Sequence, residues 1–379
     1  MGAEAVERER EERHVNITAA VVREKEQPFG IEEVELDEPG VGEVLVRIVG
    51  SGVCHTDLIV RDQWYPVPLP AVLGHEGSGI VERVGEGVTK VAPGDPVGLS
   101  YLSCGRCKNC LIGKPTYCLD FYNQNFAGAR PDGTNAYHKD GEQVHGHFFA
   151  QSSFATYALA TERNVVKVRD DVPIELVGPL GCGLQTGAGG VLNSLRPPAG
   201  SSIVVFGTGT VGMAAIMAAR VCGCTTIIGV DVKPNRLELA RELGATHTIN
   251  AAETDSVEEI RRVTGGGADF SVETTASPQV FRQAVDCLEQ LGVCGLIGAA
   301  ALGTEASFDM NTILFGRTIR GIIEGDSIPD VFIPQLLELH VQGRFPFDRL
   351  VKFYDLDEVN KAGEESESGE VLKPILRMG

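Results

Sequence analysis

Cys104, Cys107, Cys110 and Cys118 stand in the stretch "CGRCKNCLIGKPTYC" with CxxCxxCx7C spacing. That spacing lets one short lobe wrap four thiolates tetrahedrally around a metal ion. Zinc suits the set, and iron accepts four thiolates as well. Four thiolates leave no coordination position for water or substrate, so this site is expected to be structural. A catalytic metal needs three protein ligands and a vacancy, and it must be sought elsewhere. "GVCHTD" offers Cys54, "GHEGSG" offers His75 and "GCGLQTGAG" offers Cys182. Two thiolates and a neutral imidazole form a known catalytic zinc set whose total charge is formally zero. Such a centre binds a neutral alcohol and stabilises its alkoxide. Taken singly, each of these residues reads as a core thiol or a satisfied polar group. The case rests on their joint occurrence.

A second kind of chemistry is written in "VVFGTGTVG", where Gly207, Gly209 and Gly212 form GxGxxG between a strand-like run and a helix-like one. The first glycine permits a tight turn, the second lets backbone approach a pyrophosphate, and the third lets helix pack close on strand. Asp231 closes the next strand-like run about twenty residues on, where this motif places a carboxylate for the ribose hydroxyls. A 2′-phosphate about 4 Å from that carboxylate would meet repulsion of roughly 4 kcal/mol per charge pair at an effective dielectric near 20. NAD is therefore preferred over NADP. Arg236 nearby could accept a phosphate or hydrogen-bond the ribose.

These motifs need a scaffold of two domains, because 379 residues exceed the usual span of one hydrophobic core. From Asn16 to about residue 100 the text is short β-like runs such as "EVLVRIVGSGV", punctuated by Gly and Pro turns. Beyond about residue 186 apolar strands, glycine turns and amphipathic helices alternate, the pattern of a parallel, doubly wound α/β sheet covered on both faces. The expected organisation is an N-terminal extension over residues 1–15 and a mainly β, barrel-like unit over 16–185 carrying the cysteine lobe at about 103–120. An α/β unit over 186–324 and a segment over 325–379 returning to the first unit complete it.

Composition narrows the function. The 33 basic residues face 52 acidic ones, for a net charge of −19, and no Lys/Arg cluster interrupts the negative field. Nucleic acid and anionic membranes are poor partners for such a surface. No apolar run approaches the eighteen or so residues of a membrane span, and "MGAEAVEREREERH" lacks the apolar core of a secretion signal. A soluble, cytoplasmic protein is expected. Its ten cysteines then read as reduced thiols or metal ligands, not as a disulfide framework.

Together "GVCHTD", "GHEGSG", the four-cysteine lobe, "GCGLQTGAG" and "GTGTVG" resemble, in that order, the zinc-dependent medium-chain alcohol dehydrogenases. The resemblance covers nearly everything from Asn16 onward. Within the family, "FFAQSSFATYA" and "EGDSIPDVFIPQLLELHVQGRFPFDRLV" are most similar to the aryl (benzyl) alcohol dehydrogenase branch. It implies a GroES-like catalytic domain beside a Rossmann-like NAD-binding domain, with two Zn²⁺ per chain. Carried over, it assigns the catalytic zinc to Cys54, His75 and Cys182, with Asp57 orienting His75 and Glu76 able to approach the metal. His55 and Lys373 match positions on the cofactor pyrophosphate, and Thr186 one near the nicotinamide. Thr56 matches the hydroxyl that takes the alcohol proton, and Tyr65, Tyr101, Phe148 and Phe149 match the substrate pocket. Many relatives carry a histidine where Ile59 stands here, so the proton is expected to leave through the cofactor ribose and water, or through another base.

The implied reaction is reversible oxidation of a primary aryl or allylic alcohol to its aldehyde, with hydride passing to NAD. Two other dehydrogenase readings, glutathione-dependent formaldehyde oxidation and general aliphatic alcohol oxidation, use the same cofactors. The former needs a basic pocket, for which no arginine cluster is visible. A silent NAD-binding relative would have lost Cys54, His75, Cys182 or Thr56, and all four are present. The resemblance and the apolar run "VCGLIGAAALG" also imply a homodimer or homotetramer.

Overall fold

The computed structural model describes residues 14–379. They divide into two compact units, one running to Cys182 and resuming at Leu350–Gly379, the other Gly183–Arg349. The expected extension lies outside the described residues up to residue 13, and its last two positions already belong to the first strand.

The first unit opens with β1 (His14–Val22), β2 (Gly30–Asp37), β3 (Glu43–Gly52), β4 (Ala71–Val72) and β5 (Gly77–Val84). β6 (Pro96–Leu99), β7 (Tyr137–Lys139), β8 (Glu142–Val144), β9 (Tyr157–Thr161) and β10 (Val165–Lys167) follow. The second unit holds β11 (Ser202–Phe206), β12 (Thr226–Asp231), β13 (His247–Asn250), β14 (Ala268–Glu273), β15 (Leu288–Leu296) and β16 (Thr318–Gly321). The chain then returns with β17 (Val351–Asp355) and β18 (Lys373–Arg377).

Two sheets build the first unit, in the orders β4-β1-β2-β7-β8 and β10-β6-β5-β3-β18-β17, with β9 also pairing β3. β3 is the hub. Its "EVLVRIVGSG" buries Val44, Leu45, Val46 and Ile48, with only Arg47 exposed, as a strand covered on both faces must. Val44, Val46 and Ile48 join one core with Leu58, Leu99, Phe148 and Phe149, while Leu45 turns to a second core around Ile17, Leu36 and Tyr137. The period of two side chains thus lets one strand serve two cores.

The second unit is a single six-stranded parallel sheet in the order β13-β12-β11-β14-β15-β16. This is the doubly wound order whose switch point lies between β11 and β14. The helix Thr210–Cys222 begins three residues beyond β11 and buries every residue from Gly212 to Ala219 before ending at Gly223 in the left-handed region. The helix Pro329–Val341, continuous through Pro334, corrects one boundary. The return to the first unit was expected at residue 325, but the chain stays with the second unit through Arg349. Phe332, Ile333, Leu336 and Leu337 are buried, and this helix packs on the helix Gly183–Gly189. Among the described residues no helix is long and apolar enough to cross a membrane.

Candidate active site and metal centres

Cys54 precedes the short helix His55–Arg61, which Asp57 ties down from within. The Asp57 carboxylate is fully buried and accepts three hydrogen bonds: from Cys54 N (3.0 Å), Gly74 N (3.1 Å) and His75 Nδ1 (2.7 Å). One carboxylate therefore fixes two of the expected ligands at once. With Nδ1 committed to Asp57, the other ring nitrogen, Nε2, is buried and has no hydrogen-bond partner. Ligand atoms of Cys54, His75, Glu76 and Cys182 all lie within 4.8 Å of one another. The Cys54 thiol is drawn well below its ordinary pKa, first by the Cys182 thiol and then by His75, against the effect of burial. Burial disfavours a charge on His75, but Asp57 and Cys54 outweigh it and raise its basicity well above the ordinary value. Thr56 Oγ1 lies 3.7 Å from the Cys54 sulfur. Ile59 is buried on the same helix.

Lys373, expected on the cofactor pyrophosphate, pairs with Glu76. Its ammonium is buried and donates to Val53 O (3.3 Å) and to both Glu76 oxygens (3.0 and 2.8 Å). Three donors meet three acceptors, because a buried cation must be paired and hydrogen-bonded. Burial pushes the Glu76 carboxyl upward and the Lys373 ammonium pulls it back, while Glu76 holds Lys373 charged. Gly52 makes room for the pair: a Cβ there would sit 2.0 Å from Glu76 Oε2. His55, by contrast, is exposed at the first position of its helix.

Of the four expected pocket aromatics, Phe148 and Phe149 meet the His75 ring directly, and Tyr65 and Tyr101 join them through other rings. Phe149 lies 4.7 Å from the His75 ring, tilted by 32°, and Phe148 stands edge-on to it at 5.4 Å. Phe148 has no exposed surface, so it backs the wall without facing solvent. Sequence reasoning missed Phe121 and Phe126, which complete the cluster on the short helix Phe121–Phe126. Phe126 joins Phe149 (5.2 Å) to Tyr65 (6.2 Å), and Phe121 joins Phe149 (6.3 Å) to Tyr101 (6.0 Å). The one available signal was their position just past the fourth lobe cysteine. Gln151 was also missed. It is fully buried and braces the turn after His75, donating to His75 O (3.0 Å) and accepting from Gly77 N (3.0 Å). Around it His147, Phe149, Ala150 and Ser152 all adopt left-handed φ, a run that costs free energy and is typical of functional segments.

In the lobe, the sulfurs of Cys104, Cys107, Cys110 and Cys118 converge within 4.8 Å. Backbone N–H groups point at them: Cys104 N at Cys118 Sγ (3.3 Å), Cys107 N at Cys104 Sγ (3.4 Å) and Leu119 N at Cys107 Sγ (3.5 Å). The bond from Leu119 is the main reason the Cys107 thiol titrates low, at about 6. Amide donors hold the Cys104 and Cys107 thiols below their ordinary range, while burial pushes those of Cys110 and Cys118 up.

At the tip of β11, Gly207 takes φ of +84° and a Cβ on Gly212 would fall 1.9 Å from Gly207 O, so neither position tolerates a side chain. Gly209 has nothing within 4 Å of its missing Cβ, which leaves the helix start open to a ligand. Asp231, at the end of β12, accepts from Thr208 N (2.8 Å), Thr208 Oγ1 (2.9 Å), Val232 N (2.8 Å) and Lys233 N (3.0 Å), with Arg236 at 4.0 Å. Thr186 donates to Glu324 (3.4 Å), which also accepts from Gln185 (3.1 Å).

Residues 40–170 match the model of the alcohol dehydrogenase GroES-like domain, and residues 210–341 that of the zinc-binding dehydrogenase domain. The chain is 47% identical over 365 residues to a geraniol dehydrogenase of Castellaniella defragrans, covering 96% of this chain and 98% of that one. The chain belongs to the zinc-dependent medium-chain alcohol dehydrogenases. Among solved structures, an alcohol dehydrogenase zinc-binding domain protein of Burkholderia ambifaria is 57% identical with a TM-score of 0.95, over 97% of this chain and all of that one. A benzyl alcohol dehydrogenase of Acinetobacter calcoaceticus is 52% identical with a TM-score of 0.94, over 96% and 100%. The residues present fit the metal this dehydrogenase family uses. An unpartnered, buried imidazole nitrogen beside two thiols is a donor set for zinc, and the lobe supplies four thiols for a second ion. They fit a dinucleotide too, since the open space at Gly209 lies where a pyrophosphate would approach a helix N-terminus.

Proposed function

We propose that this dehydrogenase oxidises primary aryl and allylic alcohols reversibly to aldehydes, with NAD as hydride acceptor and with catalytic zinc on Cys54, His75 and Cys182. The observation that carries the substrate class is the ring cluster leading from Tyr65 and Tyr101 through Phe126, Phe121 and Phe149 to His75. Flat, conjugated alcohols pack face-on or edge-on against such walls. The relatives named for geraniol, an allylic alcohol, and for benzyl alcohol support the same reading.

Bound zinc would supply Lewis acidity to the alcohol oxygen, and bound NAD would accept the hydride. The chain's own residues do the rest. Asp57 holds the Cys54 and His75 ligands in register. The Thr56 hydroxyl, next to Cys54, would accept a hydrogen bond from the alcohol and pass its own proton on toward the cofactor ribose and water, or to another base, since Ile59 offers none. Glu76, held back by Lys373, is the carboxylate able to approach the metal. Gly207, Gly209 and Gly212 leave the helix start accessible to the pyrophosphate, and Asp231 receives the ribose hydroxyls and repels a 2′-phosphate. His55, Thr186 and Arg236 are the remaining cofactor contacts in this reading. The four-cysteine lobe holds a structural zinc. None of the ten cysteines is in a disulfide, which fits a reducing compartment, the cytoplasm. The run "VCGLIGAAALG" is no edge, because its strand part lies in β15, paired on both sides by β14 and β16; the edge strand β16, with all four residues exposed, supports a homodimer or homotetramer instead.

Steady-state rates with benzyl, cinnamyl, geranyl and short aliphatic alcohols, each with NAD and NADP, test the proposal. The highest kcat/KM is expected for an aryl or allylic alcohol with NAD. A best value for ethanol would sink the substrate class, and a preference for NADP would sink the role of Asp231.

A further inference from the structure

We infer that Asn125 is a positioning residue for the substrate wall and sets the preference for aromatic over small alcohols, an inference resting on the proposed role of the aromatic cluster. Asn125 has no exposed surface. Its Oδ1 accepts from Leu102 N (2.8 Å), and its Nδ2 donates to Leu102 O (2.9 Å) and Phe121 O (2.8 Å). Leu102 lies two residues before Cys104, and Asn125 seven after Cys118. The amide therefore clasps the two ends of the cysteine lobe together at its base, using both donors and its acceptor.

Each end carries part of the wall. Tyr101 sits beside Leu102, and Phe121 and Phe126 flank Asn125 in its own helix. The Tyr101 and Phe121 rings meet across the clasp at 6.0 Å, and Phe126 then touches Phe149, which stacks on His75. A six-residue helix is too short to hold itself, and Asp120 at its start makes no side-chain capping bond. Its register against Leu102 thus depends on Asn125. Without the clasp the helix is free to shift, and the rings of Phe121 and Phe126 shift with it. A flat alcohol in contact with those rings loses packing. A two-carbon alcohol, too short to reach them, loses none.

The test compares Asn125→Ala with wild type on benzyl alcohol and ethanol, together with zinc content and KM for NAD. The benzyl-to-ethanol ratio of kcat/KM should fall about tenfold or more, the scale set by a poorly filled apolar pocket. The fall should arise in KM for benzyl alcohol, with zinc content, KM for NAD and kcat/KM for ethanol near wild type. Asn125→Asp, which keeps the acceptor for Leu102 N and loses both donors, should give an intermediate ratio and serves if Asn125→Ala does not fold. An unchanged ratio in either variant, or an equal loss on both alcohols, overturns the inference. A wild type that prefers ethanol overturns the substrate class instead, which separates the two failures.

Discussion

Asp57→Asn changes one atom in a fully buried carboxylate and should loosen one metal while sparing the other. Oδ1 of Asp57 serves two donors, His75 Nδ1 and Gly74 N, and Oδ2 serves one, Cys54 N. The least costly placement of the asparagine keeps its oxygen on the two-donor side, so its NH₂ faces the Cys54 N–H, donor against donor. A buried donor left unmade costs about 1–3 kcal/mol, and here the misfit lands on the backbone of a proposed ligand. The His75 ring also exchanges a carboxylate partner for a neutral one, which weakens its donation to a metal. Together these predict a loss of about 10- to 100-fold in zinc affinity at Cys54, His75 and Cys182, or about 1.4–2.7 kcal/mol. Titration with a chelator while bound metal is counted provides the assay, with the four-cysteine lobe as an internal standard. One equivalent of zinc should leave at lower chelator concentration than in wild type, activity should fall with it, and added zinc should restore activity. Retention of both metals as in wild type, or earlier loss from the lobe, would refute the reasoning.

Cys107→Ser removes one thiol from the lobe and should lower the melting temperature and metal content before it alters kcat in molecules that stay folded; an early fall in kcat at full stability would make the lobe part of the chemistry. Gly52→Ala places a Cβ 2.0 Å from Glu76 Oε2 and should destabilise by about 1–3 kcal/mol, the usual cost of overpacking, read as a lower denaturant midpoint. Asp231→Ser removes the carboxylate while leaving Arg236 in place, 4.0 Å away. The ratio of kcat/KM for NADP to that for NAD should rise at least tenfold, given the roughly 4 kcal/mol of repulsion lifted. Glu32 is hydrogen-bonded to Arg23 and Lys139, which outweigh partial burial and hold its pKa down at about 2. That is below the unfolded value of about 4.3, so its stabilisation is complete above that value and disappears as pH falls toward 2. Glu32→Gln should therefore lower stability more at pH 6 than at pH 3 in denaturant melts, and an equal loss at both would exclude the charge as the cause.

The sequence alone determined the elements whose chemistry is local. Spacing within a few residues of chain makes the four-cysteine lobe a candidate metal site, and GxGxxG with an acidic residue about twenty positions on is a contiguous unit of strand, turn and helix. The alternation of strands and helices beyond residue 186 announced the parallel sheet, because its periodicity is carried by each segment separately. Cys54, His75 and Cys182 were legible only as a joint pattern, since no spacing rule links residues so far apart. The tertiary structure decided what depends on meeting across the fold. The pairing of Lys373, close to the C-terminus, with Glu76 is one such meeting, because a buried ammonium needs a buried carboxylate as partner. The helix Pro329–Val341 stayed with the second unit because its apolar side found a partner in Gly183–Gly189. Phe121, Phe126 and Asn125 carried no pattern of their own. Their significance lies in which rings and which backbone they touch, and a hydrogen bond or ring contact between distant segments leaves no periodic trace in the chain.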